Sequence, residues 1–517
     1  MNSEDVADVI VVGAGPVGSM AALLADRLGL SVVLVDASTE VYPKPRAIHF
    51  DADIMRIFQF AGLADELEPR VRATSGALHL GEDGEPIRDF RVVATEGDLG
   101  WKPHYMFYQP EVDRMLRRRA EDAPGIHTAF GWSCRSIAEL DDHVVVELGN
   151  ESGEVRIERA RYVIAADGST STIRKSLGIE LTDYGFDEPW IVIDADADSD
   201  ELGPDYSIMY CDPQRPATYV PGPRAHRRWE FMVLPGEDSS TLAEPEVALS
   251  LIRQVTPWYD DGRLTISRAA VYRFHALVAD RWRQGRILLA GDAAHQTPPF
   301  YGQGMCHGMR DVRNLAWKLR AVLRDGVPDE LLDSYQVERE PHVRAIIEQS
   351  VANGRYICVL DVDEAKVRDA RMRELMENPA PQAPKTWKDL IPGLSTGVLD
   401  ETGSSPATGL LFPQPWVTAS DGRHGRLDDI VGDGWVLITT APYADREASG
   451  PPAFVVGADV IDDSGTLQAW LSAFDAESVL LRPDRYVFGV ANDAEGTRAL
   501  LDAREAALHG LMATRAE

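Results

Sequence analysis

The chain has 517 residues, 44% of them apolar, and a formal net charge of −31. That length and apolar share build about three packed domains and exclude a disordered chain, while the acidic balance excludes nucleic acid as a partner. The four cysteines, Cys134, Cys211, Cys306 and Cys358, show no C-x-x-C pair and no metal-ligand spacing, so free thiols, no metal and a reducing cytoplasm are expected. The start, Met1-Asn-Ser-Glu-Asp5, is acidic where a signal peptide is basic, and no apolar run approaches the ~18 residues that cross a bilayer. No membrane partner is expected.

Residues 8–12 read as a buried strand entering the turn Gly13-Ala-Gly-Pro-Val-Gly18 and then a helix to residue 28. Gly13 permits the turn, Gly15 lets backbone approach a pyrophosphate, and Gly18 lets helix and strand pack closely. Pro16 and Val17 open the helix, whose free N–H groups favour phosphate. A second strand, residues 31–35, delivers Asp36 and Ala37 at about the ~20-residue spacing where an acid meets a ribose hydroxyl. Together these features predict a dinucleotide site.

Helical patterns follow at 51–67 and 109–120. Residues 144–148 and 155–157 flank a Gly/Asn/Ser turn and read as a hairpin, and strand 162–166 delivers Asp167-Gly168, with Arg174 shortly behind. Strand and helix alternate to about residue 181, the pattern of a parallel, doubly wound sheet. From 184 to 274 the period falls towards two, at 190–194, 206–210 and 228–234, so an antiparallel sheet is expected there. Strand 287–290 returns to the parallel fold and helices 312–323 and 328–357 follow. Pro, Gly, Ser and Thr dominate 378–415, including Pro379-Ala-Pro-Gln-Ala-Pro384, which marks a linker or an irregular wrap. Strands at 435–438, 453–456, 479–481 and 486–490 and a helix at 495–512 complete the chain.

The expected fold class is α/β. A Rossmann-like nucleotide-binding domain is split over 1–183 and 276–377, a substrate-binding β-sheet is inserted at 184–275, and a linker spans 378–415. The C-terminal domain, 416–517, resembles a thioredoxin-like domain. With no cysteine after Cys358, redox chemistry there is excluded. A structural or dimerising role remains.

A third turn, Gly291-Asp292, precedes Pro298-Pro299-Phe-Tyr-Gly302-Gln-Gly304-Met305 and another helix start. The three glycine segments together resemble the class A, single-component flavin monooxygenases of the para-hydroxybenzoate hydroxylase type. The likeness is nearest to the 3-(3-hydroxyphenyl)propionate hydroxylase branch, through Pro45-Arg-Ala47, Cys211-Asp-Pro-Gln-Arg-Pro216, Arg227-Arg-Trp-Glu-Phe-Met-Val-Leu-Pro-Gly-Glu237, Gly308-Met-Arg-Asp-Val-Arg-Asn-Leu-Ala-Trp-Lys-Leu319 and Leu481-Arg-Pro-Asp-Arg-Tyr486.

The resemblance implies bound FAD, with NADH or NADPH visiting as reductant, and oxygen transfer from a flavin C4a-hydroperoxide to a phenolic ring, a hydroxyphenylpropionate-like acid being the expected substrate. Asp292 would meet the ribityl chain and Gly302, Gly304 and Met305 the flavin's N1 and O2 edge. Arg46 would contact pyrophosphate or flavin, Gln109 the ribityl chain, and Pro299 the reactive edge. Cys134 is either a backbone contact to adenine or a small buried thiol. Asp167 is either a cofactor contact or an ordinary turn. His49, three residues past Arg46, is the candidate base for the phenol and equally a flavin-adjacent structural histidine; His295 and His307 read as structural. Tyr210, Arg215, Tyr219 and Arg228 are candidates for the substrate pocket, either arginine pairing with a carboxylate. Two other readings stay open: a tailoring or Baeyer–Villiger enzyme of fused aromatics, and a non-catalytic FAD-binding protein.

Overall fold

The computed structural model describes residues 6–91, 95–256, 258, 262–378, 391–403, 405–442 and 450–509. Its first sheet runs Arg283–Gln284, Ile287–Leu289, Val155–Ala165, Ala7–Val12, Val32–Asp36, Ile126–Phe130. Four of these five pairings are parallel, and Arg283–Gln284 joins antiparallel at one edge. Val9, Ile10 and Val11 are fully buried, as a strand covered on both faces requires. Val155–Ala165 serves twice: its first half pairs antiparallel with Val144–Gly149, the expected hairpin, and its second half pairs parallel with Ala7–Val12.

The second sheet is wider than the expected insertion. Its order is His295–Gln296, Leu264–Ala279, Leu181–Ala197, His226–Met232, Ala217–Pro221, Ser207–Tyr210, Ala77–Leu80, Pro86–Asp89. Ala77–Leu80 joins through a parallel pairing with Ser207–Tyr210. A four-residue run recruited across 130 positions leaves no local periodicity to detect.

Helix boundaries shift where special residues intervene. The stretch expected at 51–67 is the strand His49–Asp51, the helix Ala52–Phe60 and, after a break at Gly62, the short helix Ala64–Leu67. Asp51 caps the first of these by accepting from the Ile54 N–H at 3.2 Å. The expected 328–357 helix is a 3₁₀ turn, Asp329–Asp333, followed by Ser334–Ile357, with Pro341 tolerated inside. A helix not anticipated, Val362–Glu377, covers the edge strand Pro86–Asp89.

The described part of 378–415 is no free linker: Leu394, Val398, Ala407 and Phe412 are buried. The Pro379–Pro384 run lies outside the described residues, as does the end of the last helix, which is described over Ala494–His509. The C-terminal unit holds a three-stranded sheet and a four-stranded one, Ala453–Val455, Val436–Thr439, Ser478–Leu481, Val487–Ala491, with one parallel and two antiparallel pairings. It docks through buried ions: Arg482 binds Glu338 at 2.7 Å, and Glu338 also receives Lys318 at 2.8 Å. No described helix is long and apolar enough to cross a membrane.

Candidate active site

The three glycine segments, more than 100 residues apart in sequence, meet in space. Gly13 has φ of +103°, and a Cβ there would overlap the Ala166 carbonyl oxygen, directly before Asp167. Val17, on the helix Pro16–Arg27, fills the space beside Gly291 and Gly308. Arg174 donates to the Ala293 carbonyl at 3.0 Å and the Ser169 carbonyl at 3.2 Å, tying the second segment to the third. Gly18 is likewise packed shut, against Gly13. By contrast Gly15, Gly168 and Gly304, one from each segment, would carry a Cβ that meets nothing within 4 Å. One set of glycines joins the segments; the other leaves backbone open beside two helix N-termini. Gly13→Ala, forced into that φ, is expected to cost about 1–3 kcal/mol, read as equal losses in thermal midpoint with and without added FAD.

Asp36 stands at its strand end and accepts from the Ala14 N–H at 2.7 Å and the Ser38 N–H at 2.8 Å. Arg117, which sequence reading missed, pairs with it at 3.1 Å and donates to the Ala14 carbonyl at 3.1 Å. A cavity of about 430 Å³ opens alongside, lined by Thr39, Val41, Arg114, Arg117 and Phe130. Ala37 is exposed at its approach. Asp167 spends its carboxylate on the following turn, accepting from Ser171 Oγ at 2.5 Å and the Thr172 N–H at 2.8 Å. Its side chain thus has the ordinary-turn role. Cys134 is half-buried on the strand Ser133–Glu139, its thiol pushed up to about 11 by burial and by Asp167.

Asp292 opens towards solvent, yet the surrounding wall raises its pKa by desolvation, with His295 and Arg46 opposing. Arg46 is exposed, its guanidinium 4.6 Å from the Tyr42 ring centroid. Its loop is held on both sides. Gln109 Oε1 accepts from the Arg46 and Ala47 N–H groups, each at 2.8 Å, while Arg228 donates to the Arg46 carbonyl at 2.7 Å and the Pro45 carbonyl at 2.9 Å. Gln109 therefore positions the Arg46 loop.

The turn at 299–304, expected at the flavin's edge, is the most tightly organised part. Pro299–Tyr301 forms a 3₁₀ turn, Gly302 takes φ of +61°, and Gln303 precedes the helix Gly304–Arg324, into whose core face Met305 is buried. A Cβ on Gly302 would lie 2.8 Å from His49 Nδ1. Asp51, two residues on, accepts from Gln303 Nε2 at 3.0 Å and Arg310 Nη2 at 2.7 Å. Arg310 also binds Asp53 at 2.6 Å and the Gln303 carboxamide oxygen at 2.9 Å. Burial raises the Asp51 pKa, and Arg310 more than offsets it, so the carboxyl lies below its ordinary range. His49 Nε2 lies 3.2 Å from Nδ1 of His104 on the facing strand His104–Met106. Burial pulls the His49 pKa down, against Asp51 and the Gly302 backbone, and burial then His49 bring His104 to about 3. The two rings are neutral at pH 7.

The pocket candidates from the sheet turn out differently placed. Arg215 is taken by Glu237, at 2.9 Å from Nη1, and by the Met232 carbonyl at 3.0 Å. Arg228 is 2% exposed and bound to Asp194 at 2.8 Å. Neither offers a free guanidinium to a carboxylate, because each already answers a buried acid or carbonyl. Tyr219 is fully buried, ringed by Trp229 and Trp258, with its hydroxyl on the Pro204 carbonyl at 3.3 Å. Tyr210 is half-buried against the same core. His295 pairs with Asp311 at 2.6 Å, and His307 is fully buried beside it, as expected of structural histidines.

Comparison with known proteins gives the family. The FAD binding domain family matches residues 6–350, and the HcaD C-terminal domain family matches 409–451 and 440–506. The chain is 36% identical to a probable NADH-specific resorcinol 4-hydroxylase of Rhodococcus jostii over 94% of this chain and 92% of that one. It is 32% identical to a 3-(3-hydroxyphenyl)propionate/3-hydroxycinnamic acid hydroxylase of Escherichia coli K12 over 93% and 91%. Among solved structures it is similar to an anhydrotetracycline hydroxylase from Streptomyces rimosus, with TM-score 0.77, 25% identity and coverage of 98% and 99%. It also shares the fold of an aklavinone-11 hydroxylase solved with FAD and aklavinone, with TM-score 0.78, 24% identity and coverage of 98% and 100%. The chain belongs to the FAD-binding-domain family of flavin-dependent aromatic hydroxylases.

Proposed function

We propose that this hydroxylase acts on a meta-substituted phenol, the ring shared by resorcinol and 3-(3-hydroxyphenyl)propionate, the substrates in its relatives' names. The observation that carries the reading is that three segments packed against one another each keep a glycine, Gly15, Gly168 and Gly304, with open space where a Cβ would stand, the last of them two residues past the Gly302 contact with His49. FAD, when bound, supplies the redox chemistry, taking hydride from NADH and activating O₂. The chain's own residues do the rest. The N-termini of the helices Pro16–Arg27 and Gly304–Arg324 favour negative charge on pyrophosphate and on the flavin's N1 and O2 edge. Asp36 and Arg117 fix the turn that would hold the ribose, Asp292 would meet the ribityl chain, and Gln109 and Arg228 fix the Arg46 loop. Pro299 stiffens the wall by the reacting ring. The neutral His49 and His104 pair takes the phenol proton, because a phenolate is the better carbon nucleophile.

Domain limits of 1–183 with 276–377, 184–275 with its added early strands, and 416–517 belong to the same reading. So do a cytoplasmic location, a thioredoxin-like scaffold at the C-terminus and a homodimer. A second, carboxylated substrate class rests on Arg88. It lies beneath the flavin-side turn in contact with Tyr301, bonds Asn353 at 3.2 Å, stacks 4.4 Å from the Phe90 centroid and forms no ion pair among the described residues.

The deciding experiment measures NADH oxidation with resorcinol and with 3-(3-hydroxyphenyl)propionate while product and peroxide are quantified. Coupled product from resorcinol, unchanged in Arg88→Met, supports the neutral phenol. Product from the acid, with KM raised tenfold or more in Arg88→Met, supports the carboxylate. Peroxide alone from both, or product only from fused-ring substrates, overturns the single-ring phenol.

A further inference from the structure

We propose a second binding site, buried between the nucleotide-binding fold and the C-terminal unit and built for a small monovalent anion of halide size. A cavity of about 20 Å³ lies where the helices Ala52–Phe60 and Gly304–Arg324 meet the Asp484-Arg485-Tyr486 turn. That is room for one water-sized particle or one slightly larger.

Five arginines and three acids line it. Each acid already faces a guanidinium: Asp428 binds Arg56 at 2.7 Å and Arg485 at 3.0 Å, Asp53 binds Arg310 at 2.6 Å, and Asp484 binds Arg482, behind the wall, at 2.7 Å. Arg313 is the cation left over. It is 6% exposed, lies 3.4 Å from the Phe60 ring centroid, donates to the Pro483 carbonyl and forms no ion pair among the described residues. Its Nη1 makes no hydrogen bond with the protein.

Arg339, 1% exposed, lines the same cavity. It binds Asp311 through Nε at 3.0 Å, and its Nη1 is also without a partner. Two buried N–H ends beside an unneutralised guanidinium are the donors and the charge that an anion needs. Water is the competing occupant, since Asn314 Oδ1 in the same wall is unpartnered too. Water supplies hydrogen bonds but no charge, and the carboxylates nearest Arg313, Asp484 and Asp428, are already shared with Arg482, Arg56 and Arg485. Arg310 connects the cavity to Asp51 and Gln303, so an occupied site also stiffens the flavin-side turn.

The test uses FAD-loaded protein prepared in gluconate, titrated with chloride or bromide at constant ionic strength, together with crystals soaked in bromide. The expected results are a saturable rise of roughly 2–4 °C in thermal midpoint, absent with gluconate, and an anomalous peak between Arg313 and Arg339. Arg313→Met keeps its FAD and loses both signals, while Arg313→Lys, which keeps the charge, retains a weaker response. Equal midpoints in chloride and gluconate, or density there without anomalous signal, overturn the proposal in favour of water. A bromide peak without any thermal response is an adventitious ion only and overturns it too. Should Arg313→Met not fold, the bromide map and titration of the unaltered protein decide.

Discussion

Arg310→Met strips the enzyme of FAD and lowers its stability by about 3–5 kcal/mol, the cost of leaving buried carboxylates without their cation. Asp51 and Asp53 both rely on this guanidinium, which also carries Gln303 and through it the turn to Gly304. Arg310→Lys recovers only part, because one ammonium does not reproduce a planar fork that reaches three partners. The pH dependence separates this from a plain packing loss. In the native protein the Asp51 pKa is lowered, so its contribution is complete above the unfolded value of about 3.9 and is lost only as pH falls through the folded one. In Arg310→Met burial is opposed only by the weaker contributions of His49 and Gln303, and the pKa rises. The variant's deficit is therefore largest at neutral pH and narrows as acid protonates the raised Asp51 carboxyl. Flavin absorbance of the purified variant checks the first point, and thermal unfolding followed by tryptophan fluorescence across pH checks the second. A retained FAD with an unchanged midpoint sinks the argument, and a deficit independent of pH assigns it to packing.

What sequence makes legible here is local. Gly13-x-Gly15-x-x-Gly18 with its strand, helix and Asp36 declares itself because all its parts lie within 30 residues and each has one physical job. The segments at Asp167 and Gly291 become readable only in its company, and even then Asp167 stays open between a cofactor contact and an ordinary turn until its carboxylate is seen bonded to the next turn. The network that holds the flavin-side turn escaped notice altogether. Asp51 and Arg310 are 259 positions apart, and no spacing rule links them. His104 sits on a three-residue strand too short for any period. Arg215 and Arg228 show the converse problem: an arginine awaiting a substrate and one already bound to Glu237 or Asp194 have the same letter, and only burial tells them apart. Arg228 proves to be a support of the Arg46 loop, a role that required the sheet and the loop to be seen together.

His49→Gln slows hydroxylation by roughly 10²–10⁴-fold at pH 7 while leaving FAD bound, since glutamine preserves a polar contact near Gly302. The geometry allows two roles for His49. It touches the flavin-side turn at Gly302 and it faces His104 at 3.2 Å, so it either steadies the turn or accepts a proton. Burial lowers both pKa values, which keeps the pair neutral and able to accept the phenol's hydrogen bond, the proton crossing only as the ring attacks oxygen. Native activity should then stay flat from about pH 7 to 9, although a phenol ionises only near 10, as tyrosine does. Without the acceptor, the rate must follow the phenolate already present in solution. His49→Gln should climb close to tenfold per pH unit across that range, and His104→Gln should do the same more weakly. A rate depressed equally at every pH, with FAD affinity falling alongside, would assign His49 to holding Gly302 and leave the phenol proton to solvent.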